Sequence, residues 1–116
     1  MSKELAERIR ASRRFTVEHG GQAFHCRRPT DFEAIKFDAE VSAHGVPVVA
    51  ARYIESWSLT ERALLGEGDD ESPVAVTTEL AAEWLADHAL VALEIANRLA
   101  ASYRERHKAL AEAGKE

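Results

Sequence analysis

At 116 residues the chain has room for one domain with a modest core, and its 46% hydrophobic residues never approach the roughly 20 uninterrupted apolar positions of a membrane span, so a soluble protein is expected. The net charge of −5 hides an asymmetry: residues 1–36 hold eight Lys and Arg against five Asp and Glu, whereas residues 37–116 hold seven against fifteen. A basic head on an acidic body is not the dense basic stripe of a nucleic-acid binder, and a single cysteine, Cys26, excludes an intrachain disulfide and suits a reducing compartment.

Residues 1–13 form a basic arm that alternates charged and apolar residues, with no apolar run of the kind a secretory signal needs. Within it, Lys3 to Ser12 has helix-forming composition with Leu5 and Ile9 on one side, but a helix this short is marginal alone. Residues 14–27, R-F-T-V-E-H-G-G-Q-A-F-H-C-R, predict a β-hairpin turning at Gly20-Gly21. That turn sets Val17 opposite Phe24 and Phe15 opposite Cys26 on an apolar face, and Thr16 opposite His25 on the other. It also sets Arg14 opposite Arg27, a like-charge pair that calls for acidic neighbours. Thr30 and Glu33 then make a capping box for a helix whose inward stripe is expected to be Phe32, Ile35 and Ala39, widened by Phe37 or Val41, and ended by His44-Gly45.

Val46 to Thr60 is expected to be the central helix, opened by Pro47 and running through Trp57. Val49, Tyr53 and Trp57 recur at i, i+4 and i+8 with Ile54 beside them, and a Tyr and a Trp each remove about 150–250 Å² from water when buried. Ser58-x-x-Glu61 suggests another capping box, with Thr60 to Leu65 as one turn carrying Leu59, Leu64 and Leu65 inward. The run G-E-G-D-D-E-S-P is a surface loop whose adjacent acids lack the alternating oxygens of a calcium loop. After a short extended piece, Val74 to Val76, Thr77 or Thr78 caps a helix with Leu80, Ala81, Trp84, Leu85 and His88 inward, which breaks near Asp87-His88.

The last helix, from about Ala89 to Ala111, carries Leu93, Ala96, Ala100, Tyr103, His107 and Leu110 at alternating spacings of three and four, the period of a helix lying along another helix. A second row, Val91, Ile95 and Leu99, widens its apolar surface. Val91, Leu93, Ile95, Ala96, Leu99, Ala100, Tyr103 and His107 are therefore the expected partner-binding residues. The expected core is Phe15, Val17, Phe24, Phe32, Ile35, Val49, Tyr53, Ile54, Trp57, Leu80, Trp84 and Leu85. The fold class that follows is mainly α (α+β): a single domain over residues 14–111 of four to five helices with an N-terminal β-hairpin, and a short tail at 112–116.

No catalytic arrangement is legible. The five histidines, His19, His25, His44, His88 and His107, fall on unrelated segments, and no nucleophile elbow, phosphate cradle or metal-ligand spacing is present. An enzyme, a metal site and a cofactor are thus not expected. The order of parts resembles a family instead: the hairpin R-R-F-T-V-E-H-G-G-Q-A-F-H-C-R-R-P-T, a segment leading to R-Y-I-E-S-W, the loop D-D-E-S-P-V-A-V-T-T-E, then L-A-A-E-W-L and a long Ala-rich helix ending Y-R-E-R. It is similar to the tail assembly chaperones of long-tailed bacteriophages over roughly residues 14–107, with Arg52, Tyr53, Trp57, Pro73, Thr78 and Trp84 carrying the likeness. The basic arm and the histidine-rich hairpin are not part of it.

The resemblance implies a small helical protein of the bacterial host cytoplasm, absent from the mature virion, that binds the tape measure protein, keeps its apolar helices soluble and brings tail tube subunits to it. It also implies self-association, and neither a membrane nor nucleic acid is an expected partner. In many members a longer form arises by ribosomal frameshifting, and Gly114-Lys115-Glu116 is compatible with the codon run for it. Two alternatives stay open: a structural tail or head-tail component, and a small DNA-associated regulator using Arg8, Arg10, Arg13, Arg14, Arg27 and Arg28.

Overall fold

A computed structural model describes residues 2–114 of the chain. Gly20 and Gly21, with φ of 58° and 80°, turn the chain between β1 (Arg14–His19) and β2 (Gln22–Arg27). The register is the expected one, with Val17 opposite Phe24, Phe15 opposite Cys26, Thr16 opposite His25 and Arg14 opposite Arg27. The two arginines find their acids: Arg14 Nε lies 3.2 Å from Glu55, and Arg27 forms a bidentate pair with Glu33 at 2.8 and 3.0 Å. Ahead of the hairpin, the arm is a helix, α1 (Ser2–Ser12), with no buried residue.

Helix α2 (Asp31–His44) starts on the capping box, with the Glu33 N–H donating to Thr30 Oγ1 at 3.1 Å and the Thr30 N–H donating to Glu33 at 3.0 Å. Its orientation differs from expectation. Phe32 and Ile35 are 68% and 82% exposed, and Ala39 is exposed with them, while Phe37 and Val41 face the core. The reason lies outside the helix: Arg27 grips Glu33 and lies 4.7 Å above the Tyr53 ring, and Phe37, one turn further on, meets the same ring at 6.1 Å. With the Glu33–Phe37 side turned inward, the Phe32–Ile35 side has to face out.

The expected helix through Trp57 is also corrected. Helix α3 (Val46–Ala51) stops after six residues, the Arg52 and Tyr53 N–H groups close tight turns onto the Val49 and Ala50 carbonyls, and the chain leaves as strand β3 (Ile54–Trp57). Aromatic and β-branched residues suit a strand, and β2 supplies an edge to pair with; the sheet is antiparallel in the order β1-β2-β3. An irregularity opposite His25 and Cys26 lets Ile54 and Trp57, three residues apart, both point into the core, with Glu55 and Ser56 outside. Val49, Tyr53 and Trp57 are all buried as expected, but not as one helical face.

Ser58 does not cap a helix. Its N–H donates to the Ala23 carbonyl and its hydroxyl accepts from the Ala23 N–H at 2.9 Å, extending the β2–β3 pairing. Thr60 caps α4 (Glu61–Leu65) instead, with Leu59 buried and Leu65 exposed rather than inward. The acidic loop runs over the surface, and the chain after it is held by a bridge between Thr60 and Pro73 and by hydrogen bonds of Val74 to Leu59 and Trp57, without joining the sheet. Thr77 caps α5 (Thr78–Ala86), and α6 (Ala89–Ala113) begins after the break at Asp87-His88. With α1 and the short α3 and α4, the described residues form six helices rather than four to five, so the fold is mainly helical with a small three-stranded sheet. Helix α6 runs past the expected boundary at Ala111, and Lys115 and Glu116, part of the expected tail and frameshift run, lie outside the described residues.

Phe24 is fully buried at the centre, with the Trp57 ring edge-on at 6.5 Å and the half-buried Trp84 ring tilted at 5.7 Å. Trp57 Nε1–H donates to the Val74 carbonyl at 2.8 Å. Val17, Leu85, Val91, Ala92, Ile95 and Leu99 belong to the same buried cluster, and Phe15 and Leu80 pack half-buried against it. Burial pushes the Cys26 thiol up to about 12 from its ordinary 9.0, with Glu55 adding to the shift.

Leu99→Ala is expected to cost about 2–5 kcal/mol in urea unfolding, and Leu93→Ala, on the outside of the same helix, about 0.5 kcal/mol or less. Because the folded state holds the Cys26 proton more tightly than the unfolded chain, stability falls as pH rises from about 9 towards 12, and Cys26→Ala flattens that slope in alkaline unfolding curves.

Candidate interaction surface

Helix α6 has 25 residues, about 37 Å at 1.5 Å per residue, and none of its residues after Leu99 is buried. The expected partner face divides along this length. Val91, Ile95 and Leu99 belong to the domain's own core, which removes them from any surface; α6 packs mainly on α3, with smaller contacts to α5 and β1. Leu93 is 47% exposed and shares its face with Leu90, 75% exposed, three residues before it. Leu90 is absent from the expected set because neither apolar row of the helix includes it.

Ala96, Ala100 and Tyr103 are half-buried and His107 is exposed. Ala100 and Tyr103 line a cleft of about 190 Å³ with Pro29, Ala34 and Phe37 at the start of α2, and Asp38 and Arg104 supply its charges. Small side chains at Ala34 and Ala100 keep the cleft open. One turn beyond Tyr103, His107 Nε2 lies 3.0 Å from Asp31 Oδ1 and its ring stacks on Tyr103 at 4.5 Å. Hydrogen bonds from His107 and then Tyr103 hold the Asp31 carboxyl below its ordinary range, and burial and Asp31 together push the Tyr103 hydroxyl up. His107 is therefore a contact residue between α6 and α2 within one chain.

The remaining polar groups are dispersed. His19 Nδ1 lies 2.6 Å from Glu94, which ties the hairpin tip to α6, and His25 Nδ1 lies 3.0 Å from Thr16 Oγ1. His44 pairs with Glu40 at 3.2 Å, and the His88 Nδ1–H donates to the Trp84 carbonyl while its ring stacks on Trp84 at 3.9 Å. Among the described residues no three His, Cys, Asp or Glu gather closely enough to hold a metal ion. Of the arginines that a phosphate-binding role calls on, Arg14 and Arg27 are engaged by Glu55 and Glu33, and Arg28 is buried. Arg28 is held below its usual range by that burial and by the neighbouring Arg106 and Arg13.

The largest exposed apolar side chains fall on helices: Leu5 and Ile9 on α1, Phe32 and Ile35 on α2, Leu65 on α4, and Leu90, Leu93 and Leu110 on α6. No helix among the described residues is long and apolar enough to cross a membrane. Among the described residues the large exposed apolar side chains thus lie on helix faces, two of those helices also flanking the α2–α6 cleft.

The Asp31 carboxyl is expected to titrate below the ordinary carboxylate range in an NMR pH series, and to move up towards it in His107→Ala. Its depressed folded value stabilises the fold above the ordinary carboxylate range and loses that contribution as pH falls through the folded value. Comparison of the chain with protein-family models, with curated proteins and with solved structures finds no match.

Proposed function

We propose that the chain is a tail assembly chaperone of a long-tailed bacteriophage, binding helical segments of the tape measure protein and helping to recruit tail tube subunits. The observation that carries this reading is the exposed Leu90–Leu93 pair on α6, on the same long helix as the apolar α2–α6 cleft. An amphipathic client helix recognised in such a groove presents apolar side chains at i, i+3, i+4 and i+7, which match a slot floored by alanine, phenylalanine and tyrosine. Apolar helix faces left exposed on so small a domain mark a surface that meets other proteins. The resemblance of residues 14–107 supplies the identity of the client, and with it action in the host cytoplasm and absence from the finished particle.

Co-expression with the proteins encoded beside its gene, followed by capture at moderate salt and mass spectrometry, tests the reading. A long helix-rich partner is expected, lost in the double variant Leu90→Asp, Leu93→Asp, whose circular dichroism stays that of the parent because both residues are exposed in the monomer. Finding the chain in purified virions would replace the chaperone by a structural tail component. Recovery of nucleic acid alone, lost steeply with added salt, would leave the regulator.

A further inference from the structure

The two walls of the α2–α6 cleft repeat one order of residues. Ala34, Phe37 and Asp38 come from α2, and Ala100, Tyr103 and Arg104 from α6, so each wall reads small, aromatic, charged at i, i+3 and i+4. The charges are opposite, and both are unspent. Of the four acids on α2, Asp31 meets His107, Glu33 meets Arg27 and Glu40 meets Arg52 and His44, which leaves Asp38 with no ion pair among the described residues. Arg104 has none either. The positions one turn away on the same helix offer no partner: Ala34, Ile35, Val41 and Ser42 flank Asp38, and Ala100, Ala101, His107 and Lys108 flank Arg104. Nor do the two charges meet each other. Asp31 and His107 join the helices, and Arg104 is one turn from that contact on α6, whereas Asp38 is two turns, about 10 Å, from it on α2. They therefore stand at different levels along the cleft.

At about 190 Å³ the cleft falls below the roughly 300–1,000 Å³ of small-molecule pockets. It has room for a side chain, and its alanine, phenylalanine and tyrosine walls suit an apolar one. Taking the cleft as the client groove, as the proposed function does, we infer that it reads a client helix by one large apolar anchor with a basic residue one turn to one side, against Asp38, and an acidic residue one turn to the other, against Arg104. Both rim charges are exposed, so their part is selection more than affinity. A helix laid the wrong way along the cleft brings its base to Arg104 and its acid to Asp38, and is rejected. The anchor supplies the binding, as a buried aromatic or aliphatic group does at the centre of an interface.

Fluorescence anisotropy with labelled alanine-based helical peptides tests this. The probe carries Lys, Phe and Glu at i, i+4 and i+8; three others replace its Phe by Ala, its Lys by Glu, or its Glu by Lys. The Lys-Phe-Glu peptide is expected to bind most tightly, with the Ala-anchored peptide more than about tenfold weaker and each charge-reversed peptide about fivefold weaker. Asp38→Lys should favour the Glu-Phe-Glu peptide over the probe, and Arg104→Glu the Lys-Phe-Lys peptide. Both positions are exposed, and circular dichroism of the variants is expected to match the parent's. No binding at about 1 mM peptide, equal binding of the charge-reversed peptides, or preferences that the two substitutions leave unchanged would overturn the inference. Exclusion of every peptide by a dimer of this chain, seen in light scattering, would overturn it in favour of a second copy. None of these results touches the client reading itself, whose capture experiment turns on Leu90 and Leu93, outside the cleft lining.

Discussion

The arrangement of this chain hangs on the Arg27 guanidinium. It closes a bidentate pair with Glu33 at the first turn of α2 and lies over the Tyr53 ring at the junction of α3 and β3, so hairpin, α2 and third strand meet at one side chain. Arg suits the position because its planar fork serves a carboxylate with one edge and an aromatic face with its plane, which a lysine cannot do. Burial pushes the Glu33 carboxyl up, but hydrogen bonds from Arg27 and the Thr30 N–H outweigh it, and the net shift is downward. For a half-buried ion pair the larger consequence lies in removal of one partner, which strands the other charge.

What the sequence made legible was local. The hairpin register followed from two glycines and the alternation of Phe15, Val17, Phe24 and Cys26, and the capping box from Thr30 and Glu33, because each depends on residues within a few positions of one another. What it hid was non-local. Val49, Tyr53 and Trp57 keep helical spacing, yet the free edge of β2 drew Ile54 to Trp57 into the sheet, and an irregularity in the pairing let a spacing of three serve a strand. Helix α2 carries two apolar rows, 32-35-39 and 34-37-41, and the inward one is the side on which Glu33 meets Arg27 and Phe37 meets Tyr53.

The same distinction governs the interaction surface. Tyr103 and His107 belong to the legible stripe, but Asp31, their partner on α2, is 72 to 76 residues away in sequence, and nothing local pairs it with them. In α6 two apolar rows ran side by side, and burial assigned Val91, Ile95 and Leu99 to the core and Leu93 to the surface. A helix of 25 residues that buries nothing after Leu99 still meets α2 through Tyr103 and His107, and only its last turns leave the domain.

The acidic loop between α4 and α5 is pinned where it returns to the domain. The Val74 N–H donates to the Leu59 carbonyl at 2.8 Å, Pro73 bridges Thr60, and the Val74 carbonyl accepts from Trp57. The core therefore senses where this loop begins and ends and is indifferent to what lies between. Closing a longer loop across fixed ends costs only about 0.6 kcal/mol per doubling of its length. Residues 67–71 are thus the place where this chain can accept an inserted peptide, or survive a proteolytic nick, with both halves still clasped around Phe24.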